Sequence, residues 1–241
     1  MFVHTPNTMK AALRERRTIY GLYLSFPSPE LIEFAGTVKG IDYIHLDGEH
    51  GVFDMRDVET CVRAADLMGL PTLARTPDST AETIQRYLDR GVRGIVAPHI
   101  STVADAERVA NACRYAPQGT RSFGGARGNR YGYFEGDQAT HMKELNDDRV
   151  VSALIEDVEA VNNLDAMLRV EGIDTWTIGP NDLAQSMGYP GQTHHPAVKQ
   201  AIADINRRIE AAGKPIRDKH LVSIRDKAAL REGLQRTMGA G

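Results

Sequence analysis

The feature that most constrains this chain is a rhythm. Short apolar, β-prone runs recur along it, each followed by turn residues and then by a helical pattern. Candidate strands fall at residues 19–25, 43–47, 72–75, 94–98, 120–123, 150–155, 175–178 and 221–224, the fifth being the weakest. Helical spacing of apolar residues runs over 29–38, 55–68, 80–89, 103–114, 158–169, 196–212 and 227–237, and a leading helix near 9–16 precedes the first strand. Strands alternating with helices imply parallel pairing through right-handed crossovers. Eight such strands in 241 residues predict an α/β fold: a single (β/α)8 TIM barrel with an extra N-terminal helix, one domain over residues 1–241. An open doubly wound sheet would favour a glycine-rich turn after its first strand. The segment Ser25-Phe26-Pro27-Ser28-Pro29 has no glycine, and Gly124-Gly125-Ala126-Arg127-Gly128 follows only the weakest strand. The stretch from Tyr115 to Asp148 has no clear periodicity and reads as the fifth βα loop, on the catalytic face.

Charge and composition exclude several classes. Lys plus Arg number 29 against 32 Asp plus Glu, a net charge of -3, without the basic excess of a dedicated nucleic-acid binder. Cys61 and Cys113 are too few for a disulfide framework and sit in helical patterns as small apolar residues. No apolar run reaches the roughly 18 residues that span a bilayer, and the first residues lack the apolar stretch of a secretory signal. The expected setting is the cytoplasm, with no membrane and no nucleic-acid partner.

In a barrel the chemistry sits at the C-terminal strand ends. Here those ends carry Asp47-Gly48-Glu49-His50, Arg75, Glu156-Asp157 and Gly179-Pro180-Asn181-Asp182. Glu156 and Asp182 follow successive strands, which lie about 4.8 Å apart, so their carboxylates could share one hard divalent ion such as Mg²⁺ or Mn²⁺. Each could instead be a first-turn acid complementing a helix dipole. Asp47 lies three residues before His50, where a carboxylate can fix the tautomer of an imidazole base. The alternative makes His50 a loop residue and Asp47 a cap. Arg75 could neutralise an anionic substrate or an enolate oxygen, or form a surface ion pair. His99, His141, His194 and His195 read as solvated or satisfied loop histidines, and none matches a zinc spacing.

At these residues the sequence resembles the HpcH/HpaI aldolases, metal-dependent class II aldolases acting on pyruvate-type substrates. The resemblance is carried by Asp47-Gly48-Glu49-His50, Arg75, Tyr115-Ala116-Pro117-Gln118-Gly119-Thr120-Arg121, Ile155-Glu156, and the long motif from Gly179-Pro180-Asn181-Asp182 through Gly188. It implies that Glu156 and Asp182 are metal ligands and that Arg75 binds the keto oxygen and stabilises the enolate. It further implies that His50, paired with Asp47, is the acid/base, and that backbone amides near Gly179, Pro180 and Asn181 hold the substrate carboxylate. The implied reaction is reversible retro-aldol cleavage of a 4-hydroxy-2-oxo acid to pyruvate, or a related 2-oxo acid, and an aldehyde. The implied cofactor is a divalent ion, Mg²⁺ or Mn²⁺, with Co²⁺ or Zn²⁺ as alternatives, and the implied assembly is a homo-oligomer, hexamer or trimer.

Three departures touch the pocket. Leu154 stands where the family usually has Gln, Tyr23 where Trp is common, and Thr76 where proline is usual. The C-terminal region is short: either residues 214–217 or 221–224 could be the last strand, and the usual linking helix is missing between them. Two other readings stay open, a different lyase of the same superfamily (a thioester lyase, or one with another 2-oxo acid donor) and a non-catalytic barrel that binds a small anion.

Overall fold

The protein is described by a computed structural model over residues 7–239; residues 1–6 and 240–241 of the expected 1–241 domain lie outside the described residues. Helix α1 (Thr8–Glu15) leads into β1 (Ile19–Leu24), followed by α2 (Pro29–Gly36), β2 (Ile41–Asp47), α3 (Met55–Leu67), β3 (Thr72–Arg75), α4 (Ala81–Asp89), β4 (Gly94–Ala97) and α5 (Val103–Ala112). A 3-10 segment (Arg127–Gly132) and α6 (Gln138–Asp148) precede β5 (Val150–Ile155). Then come α7 (Val158–Met167), β6 (Thr175–Ile178), α8 (Pro180–Ser186), α9 (Pro196–Ala211), α10 (Arg217–His220), β7 (Leu221–Arg225) and α11 (Asp226–Thr237). The helix starts are written in the sequence. Ser28 caps α2 with Pro29 behind it, and reciprocal capping boxes open α3 (Asp54 with Asp57) and α5 (Thr102 with Asp105).

All strand pairs are parallel, in the order β6-β5-β4-β3-β2-β1-β7. The sheet curls: Ile19, Tyr43, Leu73, Val96, Val150 and Leu221, from six different strands, pack into one inner cluster with Met9, Ala12 and Leu13 of α1. The extra N-terminal helix therefore closes one end of the curl. The larger core lies between the sheet and the outer helices, and every residue of β5 is buried, as a parallel strand covered on both faces requires.

Of the eight-stranded barrel expected from the rhythm, the described residues show a parallel seven-stranded sheet curled into a half-barrel. Residues 120–123 form no strand. Their amides turn back onto the end of α5, Thr120 N–H to Asn111 O (2.9 Å) and Arg121 N–H to Arg114 O (2.8 Å), while β4 pairs directly with β5 from Gly94↔Val150 onward. The segment after Tyr115 is tied to the outer helices by Arg121–Asp89 and Arg127–Asp66 ion pairs, so it is no loop over the catalytic face. Of the two candidates for the last strand, 221–225 forms β7, whereas Ile216 makes only an isolated bridge to Trp176. Between them the four-residue α10 stands in the place of a crossover, and Asp218 on it accepts a hydrogen bond from the Thr177 hydroxyl of β6. Among the described residues no helix is long and apolar enough to cross a membrane.

Candidate active site

The strand ends bring the expected residues to one mouth. Asp47 and Arg75 are register partners at the ends of β2 and β3. Glu156 follows β5, and the Gly179 amide donates to Ile155 O (2.9 Å), which sets Gly179 beside Glu156. Asp182 lies in the first turn of α8. A cavity of about 480 Å³ is lined by Asp47, His50, Arg75, Glu156, Gly179, Pro180, Asn181 and Asp182 together with Tyr23, His45, Leu154, Arg217, Arg225 and Lys227, among others.

Asp47 and Arg75 form a forked ion pair: Nε and Nη2 of Arg75 donate to Oδ1 at 3.0 and 2.8 Å, and Nη2 reaches Oδ2 at 2.8 Å. The Tyr23 hydroxyl donates to the other side of the carboxylate. Glu49 Oε2 lies 3.0 Å from Arg75 Nη1, so two carboxylates share one guanidinium. Burial pushes the Asp47 carboxyl up, but the Tyr23 hydrogen bond and the Arg75 charge more than offset it and leave it below the usual range. Burial, then the bond to Asp47, raises Tyr23 to about 12, so the phenol stays a donor. Burial opposes the Arg75 charge, yet Asp47, Tyr23 and Glu49 outweigh it and the guanidinium stays cationic.

The expected pairing of the His50 ring with Asp47 is corrected. Asp47 Oδ1 accepts from the His50 backbone amide (3.2 Å), because Arg75 and Tyr23 occupy the rest of the carboxylate. The ring is 64% exposed and lies 3.8 Å from Glu49 Oε2. The amides of residues 179–181 are also fewer than expected: Gly179 N–H is spent on Ile155 and Pro180 has none. The Asn181 and Asp182 amides, in the first turn of α8, remain without intrahelical partners.

Glu156 is 3% exposed and Asp182 is exposed at the cavity mouth. Sequence reasoning set aside His99, yet it is in the site. It adopts a left-handed backbone (φ 54°), which turns its amide onto Glu156 Oε1 (2.7 Å) and its Nδ1 to 2.9 Å from the same oxygen. Its Nε2 faces Glu49 Oε1 at 3.4 Å. A non-glycine residue with positive φ just past a strand was not readable from the sequence. Burial raises Glu156, the His99 amide and ring pull it down, and Glu49 and Asp182 push it up again; the net shift is upward.

The donor set suits a hard divalent ion. It offers two carboxylates at one mouth, and among the described residues no group of three or more His, Cys, Asp or Glu forms a closed cage. A Cβ on Gly179 would sit 2.7 Å from Glu156 Oε2, so only glycine leaves that oxygen clear. Two oxygen ligands with the other positions open to water and substrate is the Mg²⁺ and Mn²⁺ pattern.

A second part of the cavity lining was not foreseen. His45, in the middle of β2, is buried with Nδ1 3.0 Å from Ser223 Oγ, and its Nε2 has no hydrogen-bond partner among the described residues. Burial first, then the charges of Arg217, Arg75 and Arg225, hold it well below the usual histidine value, so the ring is neutral. Arg225 lies over the Tyr23 ring, 5.1 Å from its centroid. The three departures also find places. Leu154 puts an apolar side chain in the cavity lining at the position where an amide was expected, and Tyr23 supplies the hydroxyl on Asp47. Thr76 donates its amide to Val96 O (3.2 Å), a bond proline could not make.

Residues 19–241 match the family model described as HpcH/HpaI aldolase/citrate lyase. The chain is 35% identical over 209 residues to a 4-hydroxy-2-oxovalerate aldolase of Rhodococcus jostii, covering 86% of this chain and 79% of that protein. It is 37% identical over 210 residues to a 2-keto-3-deoxy-L-rhamnonate aldolase of Klebsiella pneumoniae, covering 86% and 77%. The crystal structure of an HpcH/HpaI aldolase from Desulfitobacterium hafniense superposes with a TM-score of 0.86 at 26% identity, over 95% of each chain. A likeness in fold alone, at 15% identity and a TM-score of 0.52 over 95% of this chain and 86% of the other, extends to a citrate lyase beta subunit from M. tuberculosis complexed with oxaloacetate and magnesium.

Proposed function

Since this chain belongs to the HpcH/HpaI aldolase/citrate lyase family, a family of carbon–carbon lyases, we propose that it is a metal-dependent class II aldolase cleaving a 4-hydroxy-2-oxo acid to pyruvate, or a related 2-oxo acid, and an aldehyde. One observation carries the reading: the carboxylates of Glu156 and Asp182 and the guanidinium of Arg75 line the same cavity.

Glu156 and Asp182 hold the divalent ion, which when bound supplies the Lewis acid that polarises the 2-oxo group. Arg75, kept cationic and fixed by Asp47 and Glu49, donates to the oxygen on which enolate charge grows. The Asn181 and Asp182 amides receive the substrate carboxylate. His50, its ring free at the mouth, moves the proton at the 4-hydroxyl of the bond that breaks. Tyr23 and Asp47 hold Arg75 in place and touch no reacting atom.

In the same reading residues 1–241 are one cytoplasmic domain, working as a homo-oligomer, trimer or hexamer. Exposed Leu230, Leu234 and Met238, spaced by four residues along and just past α11, are side chains such an assembly would cover. The function is tested by assaying 4-hydroxy-2-oxo acids for pyruvate release with and without added Mn²⁺ or Mg²⁺. Metal-stimulated release is expected; its absence across the whole series would discard the reading.

A further inference from the structure

The part of the cavity lining supplied by β7 and the start of α11 holds cations that the chemistry above does not use. Arg225 ends β7 and Lys227 lies in the first turn of α11; both line the cavity. Neither has a carboxylate within ion-pair distance among the described residues. Arg225 meets only the face of Tyr23, and the Lys227 ammonium lies 6.0 Å from the Phe26 ring centroid. Asp226, between them in sequence, also lines the cavity, and its carboxylate is engaged by other donors: it accepts from the Ser25 amide (2.8 Å) and hydroxyl (3.1 Å) and from the Lys227 amide (2.6 Å). Arg217 lines the same wall, and its charge is shared with its neighbour Asp218.

Two further observations mark this wall as built for a ligand. His45 is buried in the cavity lining and its Nε2 is unpartnered among the described residues, a cost that proteins avoid unless something else supplies the bond. The position of Arg225 is fixed as well. It is the register partner of Tyr23 across β1 and β7, and the Tyr23 hydroxyl reaches Asp47 and Arg75 (3.2 Å from Nη2). One aromatic ring therefore separates Arg225 from the guanidinium assigned to the enolate. In the aldolase reading, a substrate whose 2-oxo end sits at Glu156, Asp182 and Arg75 shares its cavity with these cations.

We propose that Arg225, with Lys227 and Arg217 beside it, is the specificity-determining group of this site and binds a terminal anion, carboxylate or phosphate, on the aldehyde half of the substrate. His45 Nε2 donates to or accepts from the same end of the substrate. The inference rests on the aldolase reading for which half of the substrate is bound there, and on the cations alone for the binding of an anion.

The experiment compares acceptors that differ in charge. The parent and Arg225→Ala are assayed with metal and pyruvate for aldol addition to 4-oxobutanoate against butanal, and to glyceraldehyde 3-phosphate against glyceraldehyde. The parent should prefer the charged member of at least one pair. Arg225→Ala should lower kcat/KM for that member about tenfold or more beyond any change for its neutral partner, mainly through KM, as loss of a charge-assisted hydrogen bond predicts. Arg225→Lys should recover part of the preference. A shift in the carboxylate pair alone assigns a carboxylate, in the phosphate pair alone a phosphate. A parent without charge preference, or a preference that Arg225→Ala leaves intact, overturns the proposal. If the parent adds pyruvate to none of the four, the pyruvate-release series decides the aldolase reading, and binding of succinate and inorganic phosphate by titration calorimetry decides the subsite separately. Tenfold weaker binding of either anion to Arg225→Ala upholds it, and no binding to the parent, or equal binding to both, overturns it.

Discussion

The two walls of the cavity are built differently. On one side, Glu156 and the turn from Gly179 to Asp182 follow directly from the ends of β5 and β6, and their positions are set by a backbone bond, Gly179 N–H to Ile155 O. On the other, His45, Arg217 and Arg225 come from the middle of a strand, a four-residue helix and the end of β7. The first wall is fixed by main chain and offers oxygen ligands. The second is made of long side chains whose charge decides what fits. The two aldolase relatives are named for different 2-oxo acids.

Changes on the first wall should have the largest effects. Glu156→Gln and Asp182→Asn should each weaken Mn²⁺ binding by more than about 100-fold, since even residues that only support a metal ligand are worth 10–100-fold. Calorimetric titration reads this without any assay of turnover, and parent-like Mn²⁺ affinity in both variants would misplace the metal. Next comes His50→Ala. Cleavage should fall by about 10²–10⁴, the usual worth of a general base, while exchange of pyruvate methyl protons with deuterated water should be largely spared. Following both reactions on one preparation separates the roles; equal loss would assign His50 to enolisation or to the site as a whole.

Arg75 joins the walls, and its loss is expected to cost about 10²–10³ in kcat, with Arg75→Lys failing to restore it because an ammonium lacks the planar fork. A kcat for Arg75→Ala within twofold of the parent would remove it from the enolate. The smallest effect concerns stability. Because the Asp47 carboxyl sits lower in the fold than in the unfolded chain, its contribution is present above the ordinary carboxylate pKa and is lost as pH falls through the folded value. Asp47→Asn should therefore be less stable than the parent near pH 7, and the gap should close below about pH 4. Thermal melts from pH 7 to pH 2 check this; a gap that stays constant would mean the pair with Arg75 is not its source.

The strand-end residues were legible because an apolar run announces its own end, and the polar residue after it is then placed by topology alone. Asp47, Arg75 and Glu156 follow in this way. The second wall was hidden. His45 sits inside a strand whose last five residues are all buried, so no alternation marks it as facing a cavity. Arg217 and Arg225 take their places only because the seventh unit is cut to α10, which shows in the sequence as a missing helix but not as a geometry. Residues 120–123 look like a strand locally, yet Arg121 is drawn under the helices by Asp89. Helix α6 escaped notice because only His141, Leu145 and Asn146 of it are buried, too few and too polar to write a periodic stripe.

The single bridge between Trp176 and Ile216 has a mechanical consequence. Everywhere else around the curl, neighbouring strands are stitched by three to five register pairs, but here the ladder is one rung long. A zip with one tooth is the compliant point of the wall, and it lies between β6, which leads into Asp182, and β7, which ends in Arg225. Apart from that rung, the segment around Ile216 is held to β6 by hydrogen bonds from Trp176 and Thr175 to Pro215 O and from Thr177 to Asp218, so side chains carry much of the seam. Its backbone amides should exchange with solvent ahead of those in β1 and β2, where the stitching is complete.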